Sequence, residues 1–201
     1  MDIREKPPKL SIILGQSYTG KSSYAQYLSK TYDCEIIHIY DLENGYPRED
    51  IPFVHDICIT LHKFKSIPEK LEATLNEIYT KDKNILVVFD VGTRLREYNI
   101  HDKIQNILEK WNVSALFVLF NYHGLPRYYR AKGVYHMMRS CTVQMVVLNK
   151  TIYTVYPELA KKAHLLLKET DISYNDVLVI DYEKQQTYIN SRGMVKKALS
   201  T

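Results

Sequence analysis

Residues Gly15-Gln16-Ser17-Tyr18-Thr19-Gly20-Lys21-Ser22 set two glycines five positions apart and follow the second with a lysine and a hydroxyl. That spacing suits a backbone that wraps an anion. Gly15 and Gly20 let the chain turn tightly and bring N–H groups close to phosphate oxygens. A helix starting near Lys21 would aim its unpaired amides and positive dipole end at the same charge. Lys21 then reaches the β- and γ-phosphates, and the Ser22 hydroxyl is placed to coordinate Mg²⁺. The candidate nucleotide-binding segment is Gly15, Gln16, Ser17, Tyr18, Thr19, Gly20, Lys21, Ser22 and Ser23. With ordinary residue usage the four fixed positions recur by chance in roughly one per cent of chains of this length. The expected ligand is ATP with Mg²⁺. Asn149-Lys150-Thr151-Ile152 lacks the Asp that would complete a guanine-reading N-K-x-D, so adenine is favoured over guanine.

A phosphate loop needs an acid at the end of a neighbouring buried strand. Asp90 closes the apolar run Ile85-Leu86-Val87-Val88-Phe89 and is the candidate to hold Mg²⁺ with Ser22. The next residue is Val91, where a water-orienting Glu or Asp would suit a hydrolase. A substitute must come from elsewhere: Asp41 and Glu43 follow the second strand, and Glu97 lies near. Glu43 is the favoured base, against the plainer reading of solvated loop acids. Asn121, after Ala115–Phe120, can hydrogen-bond a γ-phosphate or the attacking water, or it can simply form a turn. Arg127, Arg130 and Arg139 follow it. Their planar forks suit phosphate, as an arginine finger or a lid, and surface arginines are the bland alternative.

The elements that must position these groups alternate in strand and helix pattern, which predicts a parallel α/β sheet. Strands are expected at Leu10–Leu14, Glu35–Tyr40, Val54–Thr60, Ile85–Phe89, Ala115–Phe120 and Val143–Leu148. Val177–Ile180 and Thr187–Ile189 read as a final hairpin. Helices are expected from about Gly20 to Thr31, from Pro68 with Leu71, Leu75 and Ile78 on one face, from Asp102 to Trp111, and from Pro157 to Glu169. Five consecutive apolar residues in Ile85–Phe89 mark a strand buried on both faces. The fold class is therefore α/β, a three-layer sandwich with a mainly parallel central sheet and a C-terminal β-hairpin, in one domain over residues 1–201.

Composition sets outer bounds. The 201 residues suffice for a full core, and the net charge of +4 permits a polyanionic partner without demanding one. No apolar run approaches the length of a transmembrane helix. Met1–Pro8 has no apolar signal-peptide core, so residence in the cytoplasm is expected. Cys34, Cys58 and Cys141 lack C-x-x-C spacing and read as buried free thiols rather than a metal or disulfide framework. Tyrosine is abundant, 17 against 5 Phe, without a function attached to it.

The order of elements resembles the FtsK–HerA superfamily of P-loop ATPases, and most closely the compact genome-packaging ATPases of large double-stranded DNA viruses and of turreted icosahedral viruses of archaea. The residues that carry the resemblance are Gly15–Ser22, Phe89-Asp90, the strand ending in Asn121, then Leu125-Pro126 and Arg130, and the strands matched to Cys141–Leu148 and Val177–Tyr182. Asp41-Leu42-Glu43-Asn44-Gly45 is similar to the loop after the family's second strand, with one extra residue before the glycine. The resemblance spans most of the chain, and Gly15–Ser22 is its one motif specific in isolation. It implies an ATP-driven, sequence-indifferent translocase of double-stranded DNA acting as a homo-oligomeric ring, usually of six subunits. It also implies a trans arginine, with Arg130 matching best and Arg127 second. Partners at a portal vertex would be capsid or internal-membrane proteins, and the location host cytoplasm during assembly, with virion association a further option. The chain departs from the family at Asn121, where a Gln is usual, and at Val91, where an acid is usual. DNA contacts to phosphate are open to His62–Lys65, the arginines after Asn121, and Arg192, Lys196 and Lys197, none singled out. Two other readings remain: a small-molecule or nucleotide kinase with Asp41 holding a substrate hydroxyl, and a low-turnover nucleotide-binding regulatory protein.

Overall fold

Short β-branched and apolar runs build a nine-stranded sheet whose spatial order is β3-β2-β4-β5-β1-β6-β7-β8-β9. The computed structural model describes residues 6–16, 19–41, 57–61, 73, 76–77, 83–90, 101–120, 129, 132–138, 157–169, 176–191 and 194–199. The strands are β1 (Leu10–Leu14), β2 (Glu35–Asp41), β3 (Ile57–Leu61), β4 (Ile85–Asp90), β5 (Val113–Leu119), β6 (Val134–Met138), β7 (Asp176–Asp181), β8 (Gln186–Ser191) and β9 (Met194–Leu199). The described helices are α1 (Lys21–Thr31), α2 (His101–Leu108) and α3 (Pro157–Glu169).

The first six strands run parallel, and β7, β8 and β9 add to the β6 edge as an antiparallel meander. β1, β4, β5 and β6 are buried along their whole length. This follows from helices covering both faces, which removes the polar alternation of a one-sided sheet.

The two faces are distinct. Leu10, Ile12, Leu14, Ile37, Ile39, Val87, Phe89, Phe117, Leu119, Tyr135 and Met137 pack under Ile104 and Ile107 of α2 and Leu159, Ala163 and Leu166 of α3. Ile13, Leu86, Val88, Leu116, Val118, Val134 and Met138 pack under Tyr24, Ala25 and Leu28 of α1. The layers are therefore helix, sheet, helix, compatible with a three-layer sandwich. Phe89 and Phe117 stack at 5.0 Å between ring centroids, and Tyr129 tilts against Phe117 at 5.3 Å.

Several expectations shift. The C-terminal hairpin becomes a three-strand meander, because β9 pairs with β8. Lys196 and Lys197 interrupt the apolar run there and hide the strand from a sequence reading. The strand after β5 is Val134–Met138, which the sequence reading did not identify, and Val143–Leu148 lies outside the described residues. The second helix begins at His101 and stops at Leu108, short of Trp111. Of the helix expected from Pro68, Ala73, Asn76 and Glu77 are described, and they are helical. Cys34 is half-buried rather than buried. Among the described residues no helix is long and apolar enough to cross a membrane.

Gly133 joins the incoming chain to β6 at φ +70, where a Cβ would fall 2.2 Å from the Leu10 carbonyl oxygen. Its conformation and the close approach of β1 both require glycine. Gly133→Ala is expected to lower stability by about 2–4 kcal/mol, the sum of left-handed strain and overpacking. Urea unfolding with an unchanged m-value checks this, and a midpoint within error of wild type refutes it.

Candidate functional site

The site is built at the C-terminal end of β1. β1 lies between β5 and β6, with Leu14 paired to Leu119 on one side and Met137 on the other. Gly15 leaves the strand there, and its N–H donates to the Leu119 carbonyl at 3.3 Å. A Cβ on Gly15 would stand 2.6 Å from Thr19 Oγ1 and 2.9 Å from Met138 Cγ, so the loop closes on space that a side chain would fill.

The loop is held from within. Thr19 Oγ1 donates to the Gln16 carbonyl at 2.8 Å, and Lys21 Nζ donates to the same oxygen at 2.6 Å. Gly20 takes the left-handed conformation, φ 80 and ψ 18, and is the N-cap of α1. Its carbonyl accepts the Tyr24 N–H at 2.8 Å, which starts the helix. A glycine N-cap offers no side chain to the first amides, and no acid sits in the first turn. The dipole end of α1 is thus not offset by a cap side chain of Gly20 or by an acid in the first turn. Lys21 and Ser22 are half-buried, while Gln16 and Ser23 are exposed.

Asp90 is the last residue of β4 and is 4% exposed. Alternation along the strand sets it on the face of Leu86 and Val88, which is the face covered by α1. β5 stands between β4 and β1. Two inter-strand spacings separate the Asp90 backbone from the loop by roughly 10 Å. Such a gap is wide enough for a carboxylate, a hydrated metal ion and a phosphate group. The tip of β5 projects into it: Phe120 is 40% exposed there, and Asn121 follows in sequence. The donor set of the Ser22 hydroxyl and the Asp90 carboxylate consists of hard oxygens and suits Mg²⁺.

Ser17, Tyr18, Glu43, Asn121 and Arg130 lie outside the described residues, as do Arg127 and Arg139. The structure thus describes Gly15, Gln16, Thr19, Gly20, Lys21, Ser22 and Ser23 on one loop and helix, with Asp90 across β5. Among the described residues no cluster of three or more His, Cys, Asp or Glu is arranged to hold a metal ion.

Two histidines on the α1 face escaped the sequence reading. His38 Nε2 on β2 lies 3.8 Å from Asp90 Oδ2. The signal was present: a histidine within Ile36-Ile37-His38-Ile39, where all neighbours are apolar. His136 on β6 is level with Ile13, and its Nδ1 lies 3.2 Å from the Tyr24 hydroxyl of α1. Burial drives the His136 pKa down to about 3. The ring is therefore neutral, and the Tyr24 hydroxyl and Nδ1 share one hydrogen bond. Burial raises the Tyr24 pKa, with Tyr188, Tyr32 and Tyr27 adding to the rise and a hydrogen bond with Asn190 opposing it. This bond fixes α1, and with it the loop, to β6.

Compared with known proteins, the chain matches no protein-family model and no curated protein.

The unfolded chain accepts a proton on His136 below about 6.5, whereas the folded chain excludes it down to about pH 3. Stability from this group is complete above 6.5 and is lost as the pH falls toward 3. Wild type is expected to lose about 2 kcal/mol from this group between pH 7.5 and pH 5. His136→Gln should show a flatter pH dependence over that interval. Parallel slopes for the two proteins in urea unfolding would contradict the assignment.

Proposed function

We propose that the chain is an ATP-driven translocase of double-stranded DNA that packages a viral genome into a preformed capsid. It hydrolyses ATP at a Mg²⁺-dependent P-loop site, Gly15–Ser22, that a neighbouring subunit's arginine completes. The observation that carries the ATPase part is the loop at the end of β1. It has a left-handed Gly20, helix amides without a side-chain cap, Lys21 folded over it, and a buried Asp90 facing the same α1 layer across β5. The packaging part rests on the sequence resemblance through Asn121, Leu125-Pro126 and Arg130.

In this reading the α1 amides and the Gly15–Gly20 backbone hold the phosphates. Lys21 leaves the Gln16 carbonyl and neutralises charge between the β- and γ-phosphates. Mg²⁺ supplies Lewis-acid polarisation of those phosphates when bound, with Ser22 and Asp90 as the residues that would hold it. Asn121 orients water from the tip of β5, Glu43 removes its proton, and Arg130 of an adjacent subunit stabilises the charge that develops on the γ-phosphate. The location that follows is the host cytoplasm, on a homo-oligomeric ring, with capsid or membrane proteins at the portal.

A P-loop kinase is the second reading, favoured by Asp41. β2 extends to this residue, one position past Tyr40, which is level with Asp90. In a kinase, an Asp at this position of the chain would hold an acceptor hydroxyl. A low-turnover nucleotide-binding regulator is the reading that Val91 favours.

ATPase rate measured with and without duplex DNA separates the three. The translocase reading expects stimulation by DNA and ring assembly. It expects a loss of about 10²-fold or more in Lys21→Ala and about 10³-fold in Arg130→Ala. Mixing the two variants should restore part of the rate at shared interfaces. A protein that stays monomeric with nucleotide and DNA, and whose rate ignores DNA, is not a translocase. Phosphoryl transfer to a nucleoside or nucleotide acceptor would establish the kinase, and negligible turnover under every condition would establish the regulator.

A further inference from the structure

His38 is 3% exposed in a strand whose described neighbours Ile36, Ile37 and Ile39 are all buried and apolar. Placing an imidazole there costs free energy that an isoleucine would not. Alternation sets it on the same face of the sheet as Asp90, under the α1 layer. The register then fixes its direction of approach. Tyr40 is level with Asp90, and His38 is level with Val88. The imidazole therefore springs from a backbone position roughly 7 Å further from the phosphate loop end of the sheet than Asp90 does. Its Nε2 still comes within 3.8 Å of Asp90 Oδ2. So deep a group cannot meet a water attacking a phosphate at the end of the strands, which rules it out as the base that Val91 leaves wanting. It meets the carboxylate from below instead.

We propose that His38 is a positioning residue for the metal-holding carboxylate. An Nε2–H directed at Oδ2 anchors that oxygen and turns Oδ1 of Asp90 outward, to Mg²⁺ or to its water shell. The inference rests on reading Gly15–Ser22 and Asp90 as a Mg–nucleotide site. The present separation is longer than a hydrogen bond. A shift of the carboxylate by less than about 1 Å would bring it within hydrogen-bond range. An anchored carboxylate gives up no rotational freedom when it takes the metal. Loss of such an outer partner typically lowers metal affinity by about 10–100-fold.

The test is a titration of Mg²⁺ against binding of a fluorescent ATP analogue to the full chain. His38→Leu keeps a side chain of apolar character in the strand but removes the donor. It is expected to raise the Mg²⁺ midpoint by about tenfold or more, with metal-free nucleotide affinity unchanged. His38→Gln, whose amide still donates, should bring the midpoint back to within about threefold of wild type. A purely structural role would move the thermal midpoint instead, and would leave the Mg²⁺ requirement alone. In wild type, the His38 imidazole nitrogen resonance should shift when Mg²⁺ is added to the nucleotide-bound protein. This measurement stands whether or not His38→Leu folds. An unmoved Mg²⁺ midpoint in His38→Leu, or an unmoved resonance in wild type, overturns the proposal. If wild type binds nucleotide with no dependence on Mg²⁺, the reading of Asp90 itself fails and His38 falls with it. A Mg²⁺-dependent wild type beside an equally dependent His38→Leu removes His38 alone.

Discussion

Six parallel strands place their C-terminal ends on one edge of the sheet, and the chain must leave the central one, β1, by a turn that no ordinary L-residue makes well. Gly20 at φ 80 makes that turn and starts α1 in the same step. A Cβ at this position would meet no neighbour, so the constraint is one of backbone conformation and not of room. Gly15 is the opposite case: the space beside it is taken by Thr19 and Met138. One glycine is needed for its torsions and the other for its absence of volume. Between them they leave the first amides of α1 facing outward with no side-chain cap. That geometry is what supports the proposal that this edge takes an anion.

The polar groups of the interior are divided unequally between the two faces. The face under α2 and α3 is apolar from Leu10 and Ile12 through Phe89 and Phe117 to Tyr135 and Ile180, with the buried Asp176 and Thr187 on its β7–β8 side. The face under α1 also holds His38, Asp90 and His136, each less than 5% exposed. A buried carboxylate and two buried imidazoles cost stability that aliphatic residues in the same places would supply. His38, Asp90 and His136 all lie under the helix that begins at the Gly15–Gly20 loop, so these groups bear on how that loop is aimed. Tyr24 is the link, since it belongs to α1, bonds to His136, and lies one turn from Gly20.

The sequence was most legible where one physical cause acts alone. Leu10–Leu14 and Pro157–Glu169 form over the residues their patterns predict, because a short, mostly apolar run ended by glycine and a proline-led amphipathic repeat have few alternatives. Asp90 was readable as the polar end of a buried run. β6 was not, because Val134-Tyr135-His136-Met137-Met138 has one β-branched residue and a histidine, and its burial comes from pairing with β1 and β7. The same holds for His38. Its meaning lies in Asp90, some fifty positions along the chain, and the parallel pairing of β2 with β4 is what brings the two together. Sequence spacing shows a helix or strand face, but it does not show which strands become neighbours.

Strand order also bears on what sort of chemistry the edge can support. Had β4 lain directly beside β1, Asp90 would stand against the loop, with no group between them. The interposed β5 instead brings its own tip to the space between the loop and the acid. Asp90, 4% exposed and facing His38, is committed inward and is poorly placed to take a proton from solvent-derived water. Its neighbour Val91 has no titratable group to do so. On the ATPase reading proposed above, water activation would therefore fall to residues beyond the strand ends: the chain after Asp41, the chain after Phe120, or another copy of the protein. A site arranged this way can hold a nucleotide with its own loop and remain slow until one of those segments is brought to it. In the proposed translocase, turnover would then depend on assembly as well as on nucleotide binding.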